Sequence, residues 1–176
     1  MTRGALLTKQ EIIELFAALD AELRKENVVG ELYVVGGAVL CLALDARPAT
    51  RDVVAYFEPS NVIRKAAARV ASSNDVPETW LNDAAKGYLS STGEYRPFLA
   101  LANLRVMTAS PEYLLAMKCL AFRFGAEFQD EADVRYLLRY LNIERYEMAI
   151  EVIGRYYPKE RFPQKAFYAL EEILGK

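Results

Sequence analysis

A mixed α/β protein with a helical C-terminal part is what this 176-residue sequence predicts. Three observations carry that expectation. Short β-rich runs alternate with helical patterns up to about residue 107, and glycine or proline separates them. From Ser110 onward the apolar residues recur at helical spacing. The expected class is therefore α/β (α+β): a small mixed sheet with flanking helices over residues 1–107, then a C-terminal helical bundle over 108–176.

The elements follow in order. Thr8-Lys9-Gln10-Glu11 has the form of a capping box, and Ile12, Leu15, Phe16 and Leu19 continue it as an amphipathic helix over about 8–26. Leu32 to Val35 reads as a buried strand that turns sharply at Gly36-Gly37 into a helix over about 38–45. Asp45 to Thr50 reads as a loop, Val53 to Phe57 as a second strand ended by Pro59, and Asn61 to Ser72 as a helix. Asn82-Asp83 predicts a short helix from Ala84. Phe98–Leu101 and Leu104–Met107 form an expected hairpin around Ala102-Asn103. Ser110-Pro111-Glu112 combines an N-cap hydroxyl, a first-turn proline and an acid that complements the helix dipole. Helices are predicted over about 111–124, 131–141, 144–156 and 164–174.

Composition removes several chemistries. With no histidine, the chain has no Ser-His-Asp or Cys-His pair and no HExxH zinc site. Two cysteines, Cys41 and Cys119, are too few for a four-thiolate zinc site. Catalysis would have to rest on carboxylates, lysine, tyrosine or hydroxyls, with a metal ion as the natural helper. A net charge of -2 gives no global drive toward nucleic acid. Leu32 to Leu44, interrupted by two glycines, is short of the roughly 20 apolar residues that span a bilayer, and Met1-Thr2-Arg3-Gly4 opens no apolar signal core. The expectation is a soluble cytoplasmic protein without a membrane partner, its two thiols in apolar surroundings.

Two segments carry candidate chemistry in the first half. Paired glycines at Val35-Gly36-Gly37-Ala38 let a backbone approach a phosphate, or simply make a turn where no side chain fits. In Thr50-Arg51-Asp52-Val53-Val54-Ala55-Tyr56, alternation sets Asp52, Val54 and Tyr56 on one sheet face, with Asp52 expected at the sheet's edge. Asp52 is then either an exposed site carboxylate or the ion-pair partner of Arg51 or Arg47. Trp80, Asn82, Asp83 and Lys86 read either as a base-stacking pocket or as core packing with a cap. In the helical half, about 100° per residue puts Lys118 inside the apolar stripe of Leu114, Leu115 and Phe122 and turns Arg123 away. Asp133 falls at the edge of the arc made by Val134, Leu137, Tyr140 and Leu141. An inward lysine needs an acid, an anion or an exit to water, so Lys118 and Asp133 form a polar site or a structural ion pair. Asp130 reads as the N-cap of its helix. The arginines and tyrosines from Arg135 to Tyr157 read as a partner-facing surface or a solvated helix face.

Together, Val34-Val35-Gly36-Gly37-Ala38, Thr50-Arg51-Asp52, Ser110-Pro111-Glu112 through Ala116-Met117-Lys118, and Asp130-Glu131-Ala132-Asp133-Val134 resemble the nucleotidyltransferase superfamily typified by DNA polymerase β. The likeness is to its minimal bacterial members of the abortive-infection and type IV toxin–antitoxin kind. It implies a nucleotidyltransferase-like fold and metal-dependent transfer of a nucleotidyl group from a nucleoside triphosphate to RNA or protein. It assigns catalysis to Asp52, Lys118 and Asp133, substrate binding to Gly36, Gly37, Arg51 and Lys118, and Mg²⁺ to Asp52, Asp130 and Asp133. It also implies an antitoxin partner. Val54 departs from the pattern: it stands where the second strand acid belongs, and no acid occurs in 98–101 or 104–107. The rival expectation is a catalytically degenerate nucleotide-binding or protein-interaction module.

Overall fold

The computed structural model describes residues 6–125 and 127–175, so the Met1–Gly4 start falls outside them. The chain is a mixed α/β protein whose described residues divide into two compact units. The first comprises Met1–Gly87 and Tyr95–Ala109, the second Tyr88–Glu94 and Ser110–Lys176.

In the first unit the capping box forms at Thr8, which accepts from the Glu11 amide, and launches α1, Lys9–Lys25. Its buried side chains are Ile12, Leu15, Phe16 and Leu19, the stripe that the spacing predicts, together with Asp20 and Leu23. Strand β1 (Leu7–Thr8) pairs antiparallel with β3 (Ala49–Thr50), which occupies the end of the expected loop. The main sheet holds five strands: β2 (Gly30–Val35), β4 (Val53–Glu58), β5 (Leu81–Asn82), β6 (Tyr95–Ala100) and β7 (Leu104–Ala109). Their order is β5-β4-β2-β7-β6. β2 runs antiparallel to β4 and parallel to β7, and β5 runs parallel to β4.

One face of this sheet is apolar and closed. Leu32, Val34, Val53, Ala55, Phe57, Leu104 and Val106 are all buried. Helix α1 packs on β7 and on α3 (Ser60–Asn74), and α3 packs on β4. Trp80 fills the space between them: its ring lies 6.4 Å from Phe16, and its Nε1 donates to the Ala67 carbonyl at 3.0 Å. Tryptophan here is core, and no base-stacking platform. The expected hairpin is β6–β7, and its turn is tied down by buried Asp20, which accepts from the Asn103 amide at 2.6 Å and from Arg24 at 2.9 Å.

Several boundaries differ from the sequence expectation. β4 is an interior strand, so Asp52 does not sit at the sheet's edge; the two-residue β5 covers that side and is too short to read from periodicity. No helix starts at Ala84: the Asn82 side chain accepts from the Ala84 amide and closes a turn instead, followed by a single 3₁₀ turn at Lys86–Tyr88. Helix α2 (Gly37–Leu42) ends before the expected boundary, and Asp45 beyond it adopts φ 51°.

In the second unit, α4 (Pro111–Leu120) starts as predicted, with Ser110 Oγ accepting from the Tyr113 amide. It ends four residues before the expected boundary. α5 is Asp130–Tyr140, α6 is Tyr146–Ile153 and α7 is Gln164–Leu174. The N-cap of α5 is Gln129, without a side-chain cap bond, so Asp130 is not the cap. The segment 88–94 is bound to these helices by polar contacts: Ser90 N–H to Tyr113 OH, Thr92 Oγ1 to the Arg155 carbonyl, and Tyr156 OH to Glu94. Tyr156 and Tyr157 are buried, whereas Tyr136 and Tyr140 stack on each other with Tyr140 exposed. Among the described residues no helix is long and apolar enough to cross a membrane.

Two expected outcomes follow from this packing. Asp20→Ala removes the acceptor for a part-buried amide and should lower stability by about 1–3 kcal/mol, read as a lower urea midpoint at unchanged m; an unmoved midpoint contradicts it. Burial, reinforced by the Glu94 hydrogen bond, pushes the Tyr156 phenol up to about 12 from its ordinary 10.0. The folded state then holds that proton more tightly than the unfolded chain, so stability should be full below pH 10 and fall between pH 10 and 12. Tyr156→Phe should flatten that decline in alkaline denaturation curves.

Candidate functional site

Asp52 enters β4 at a position fixed by its neighbours. Val53, Ala55 and Phe57 go into the core, so Asp52, Val54 and Tyr56 go to the opposite face, where all three are half-buried. The register Val35↔Val54 brings the start of β4 beside the end of β2, next to the twin-glycine bend. Thr50 Oγ1 donates to the Asp52 carbonyl at 3.4 Å. The Asp52 carboxylate accepts at Oδ2 from Asn82 Nδ2 at 2.9 Å, and no ion pair to Asp52 occurs among the described residues. Arg51 is exposed.

The bend has two physical causes. Gly36 adopts φ 71°, a region open to glycine and strained for other residues. At Gly37 a Cβ would stand 2.5 Å from Arg47 Nη1 and 3.3 Å from Thr50 Oγ1. Gly37 thus makes room for the Arg47 side chain, a neighbour that spacing alone did not point to.

The helical unit brings Lys118, Asp130 and Asp133 together. Lys118, 14% exposed, places Nζ 2.8 Å from Asp133 Oδ2 and 3.4 Å from Asp130 Oδ1. Asp130 also accepts at Oδ2 from the Arg123 amide at 2.9 Å and from Arg123 Nε at 3.0 Å. That hydrogen bond raises the guanidinium above its ordinary value. Two buried carboxylates therefore face two cations, and formal charge is balanced within the cluster. Arg123, which the wheel turns away from Lys118, reaches Asp130 because α4 has already ended and the chain reverses. Sequence periodicity carries no signal for that return.

A further cavity of about 530 Å³ opens at the other end of β4, lined among others by Glu31, Tyr56, Glu58, Asp83 and Lys86. Glu31 and Glu58 pair directly across β2 and β4, and each accepts from a tyrosine hydroxyl, Tyr33 and Tyr56 respectively. Both phenols are raised, Tyr33 chiefly by burial and Tyr56 chiefly by its bond to Glu58. Asp83 is held below its ordinary value by the Arg64 hydrogen bond at 3.1 Å. The alternation of β2 and β4 already puts these residues on one face, which is the signal by which they could have been found.

Among the described residues, no group of three or more acids or cysteines is placed to share a metal ion. The donor set still discriminates between the candidates. Asp130 and Asp133 are occupied by Lys118 and Arg123, while Asp52 has one oxygen bonded to a neutral amide and the other, Oδ1, without a hydrogen bond among the described residues. A hard carboxylate oxygen of that kind suits Mg²⁺, which commonly takes one or two carboxylates and completes its shell with water and substrate phosphates.

Comparison with protein-family models, curated proteins and solved structures finds no significant match to this chain.

Removing one member of the buried cluster should be costly. Lys118→Met deprives Asp133 of its 2.8 Å partner and should lower stability by about 3–5 kcal/mol, whereas Lys118→Met/Asp133→Leu together should recover part of that loss. Urea unfolding of the three variants checks this. A single-variant loss under about 1 kcal/mol, the scale of an exposed pair, contradicts it.

Proposed function

We propose that the first unit is a nucleotidyltransferase-like domain that binds a nucleoside triphosphate with one divalent cation at Asp52. The observation that carries this reading is Asp52 itself: a carboxylate on the less buried sheet face, beside a glycine bend, with one oxygen held by Asn82 and the other without a hydrogen bond among the described residues. When bound, Mg²⁺ would neutralise phosphate charge during in-line nucleotidyl transfer. Gly36, where a Cβ would meet nothing within 4 Å, would leave the bend open to a close backbone approach, whereas the space at Gly37 is taken by the Arg47 side chain; Arg51 would add an exposed positive charge next to Asp52.

In this reading the resemblance's roles for the helical unit change. Lys118 is engaged by two carboxylates, and a triphosphate would have to displace both to use its ammonium. Asp130 and Asp133 likewise hold cationic side chains, so their proposed role is to fasten α4 to α5 and no longer to bind metal. The acceptor, RNA or protein, and an antitoxin partner remain expectations of the resemblance alone.

Val54 supports a second reading. Its half-buried apolar side chain stands at the strand position where the resemblance expects the second acid. With one carboxylate in place of two, the domain would bind nucleotide and transfer slowly or not at all.

The test is calorimetric titration with Mg²⁺ and each nucleoside triphosphate, paired with labelling of RNA from radioactive nucleotide. Binding of the Mg²⁺-loaded nucleotide is expected in the wild type and should be weakened in Asp52→Ala; Val54→Asp is expected to create or raise transfer. A folded protein that binds no nucleoside triphosphate at roughly millimolar concentration, the upper end of ordinary substrate affinities, removes the proposal.

A further inference from the structure

Asn82 stands beside the place where the second acid is missing. In the parallel pairing of β5 with β4 it lies opposite Val54, so its side chain shares the face of Asp52 and Val54. Three hydrogen bonds fix its amide. Nδ2 donates to the Thr79 carbonyl at 3.0 Å and to Asp52 Oδ2 at 2.9 Å, and Oδ1 accepts from the Ala84 amide at 3.1 Å. The orientation of the amide is dictated by the backbone: Nδ2 must meet a carbonyl, and Oδ1 must meet an N–H. Two of the three bonds close the local turn. The second N–H is thereby aimed at Asp52, and nothing in the turn requires it.

We propose that Asn82 is a positioning residue for Asp52. Resting on the nucleotidyltransferase-like reading above, it holds the Asp52 carboxylate by Oδ2 and presents Oδ1 to the divalent cation that accompanies a nucleoside triphosphate. The choice of an amide over an acid follows from the surroundings. An aspartate at 82 would set a charged oxygen against the Thr79 carbonyl and against Asp52. A neutral donor orients Asp52 without that repulsion. The site so built has one carboxylate and one fixed dipole, which fits a single cation completed by phosphate oxygens.

The experiment compares the affinity of the full chain for Mn²⁺-loaded and metal-free ATP, GTP, CTP and UTP, by calorimetry and by the electron paramagnetic resonance signal of free Mn²⁺. The quantity read is the ratio of the two affinities. Asn82→Ala is expected to lower that ratio by about 10–100-fold, as loss of an outer partner of a metal ligand does. Asp52→Ala should lower it as far, and the double variant no further. Asn82→Ser, which keeps a hydroxyl for the turn, should show the same fall if Asn82→Ala does not fold. A residue that only shapes the turn would weaken loaded and metal-free nucleotide alike, and an unchanged ratio in folded Asn82 variants overturns the inference while leaving the domain reading intact. Failure of the wild type to bind any of the four nucleotides overturns the domain reading, and the role of Asn82 falls with it.

Discussion

Alternation along β4 is the constraint from which the candidate site follows. Val53, Ala55 and Phe57 belong to the core formed with α1 and α3, and burying them leaves Asp52, Val54 and Tyr56 no other face. A one-residue slip would put a carboxylate into that core and three apolar side chains outside it. The same constraint on β2, read through the Val35↔Val54 register, fixes the glycine bend beside the strand's entry. Asp52 is thus placed by hydrophobic burial, and only its last adjustment is made by a polar partner, Asn82. A second acid adjacent to Asp52 on this face would have to stand at 54, where the chain carries an aliphatic side chain; Glu58 lies at the far end of the strand.

The helical unit solves a different problem with the same side-chain types. Lys118 lies on the buried stripe of α4 beside Leu114 and Leu115, and an ammonium there is tolerated only with charge opposite it. Asp133 and Asp130 supply that charge, and Arg123 completes it. A lysine and aspartates on consecutive helices therefore have a sufficient structural reason to coexist. Contrast with Asp52 is instructive: there one carboxylate meets one neutral donor, and charge on the less buried face is left uncompensated by any ion pair among the described residues.

Much of this was legible in the residues. The capping box at Thr8, the strand ending at Gly36-Gly37, the β6–β7 hairpin and the Ser110-Pro111 start all form where local chemistry places them, because each is governed by contacts within a few residues. What was not legible depends on contacts distant in sequence. β5 exists because two residues find β4 alongside them, and Arg47 meets Gly37 across a turn. Arg123 reaches Asp130 only because α4 ends early. Asn82 was visible as a capping type, and its aim at Asp52 depends on the pairing of β5 with β4, which periodicity does not encode. The same residue shows why the helix expected at Ala84 is absent: its side chain closes a turn with the amide that such a helix would have used.

Whether Oδ1 of Asp52 is a cation ligand decides the role of the first unit. Crystals grown with Mn²⁺ and a nucleoside triphosphate, measured at the manganese absorption edge, address it directly. The account predicts an anomalous peak about 2–2.5 Å from an Asp52 carboxylate oxygen, the span of ordinary metal–oxygen bonds, with the Asn82 bond to Oδ2 retained. A peak between Asp130 and Asp133 with Lys118 displaced, or ordered nucleotide with no metal at Asp52, would contradict it.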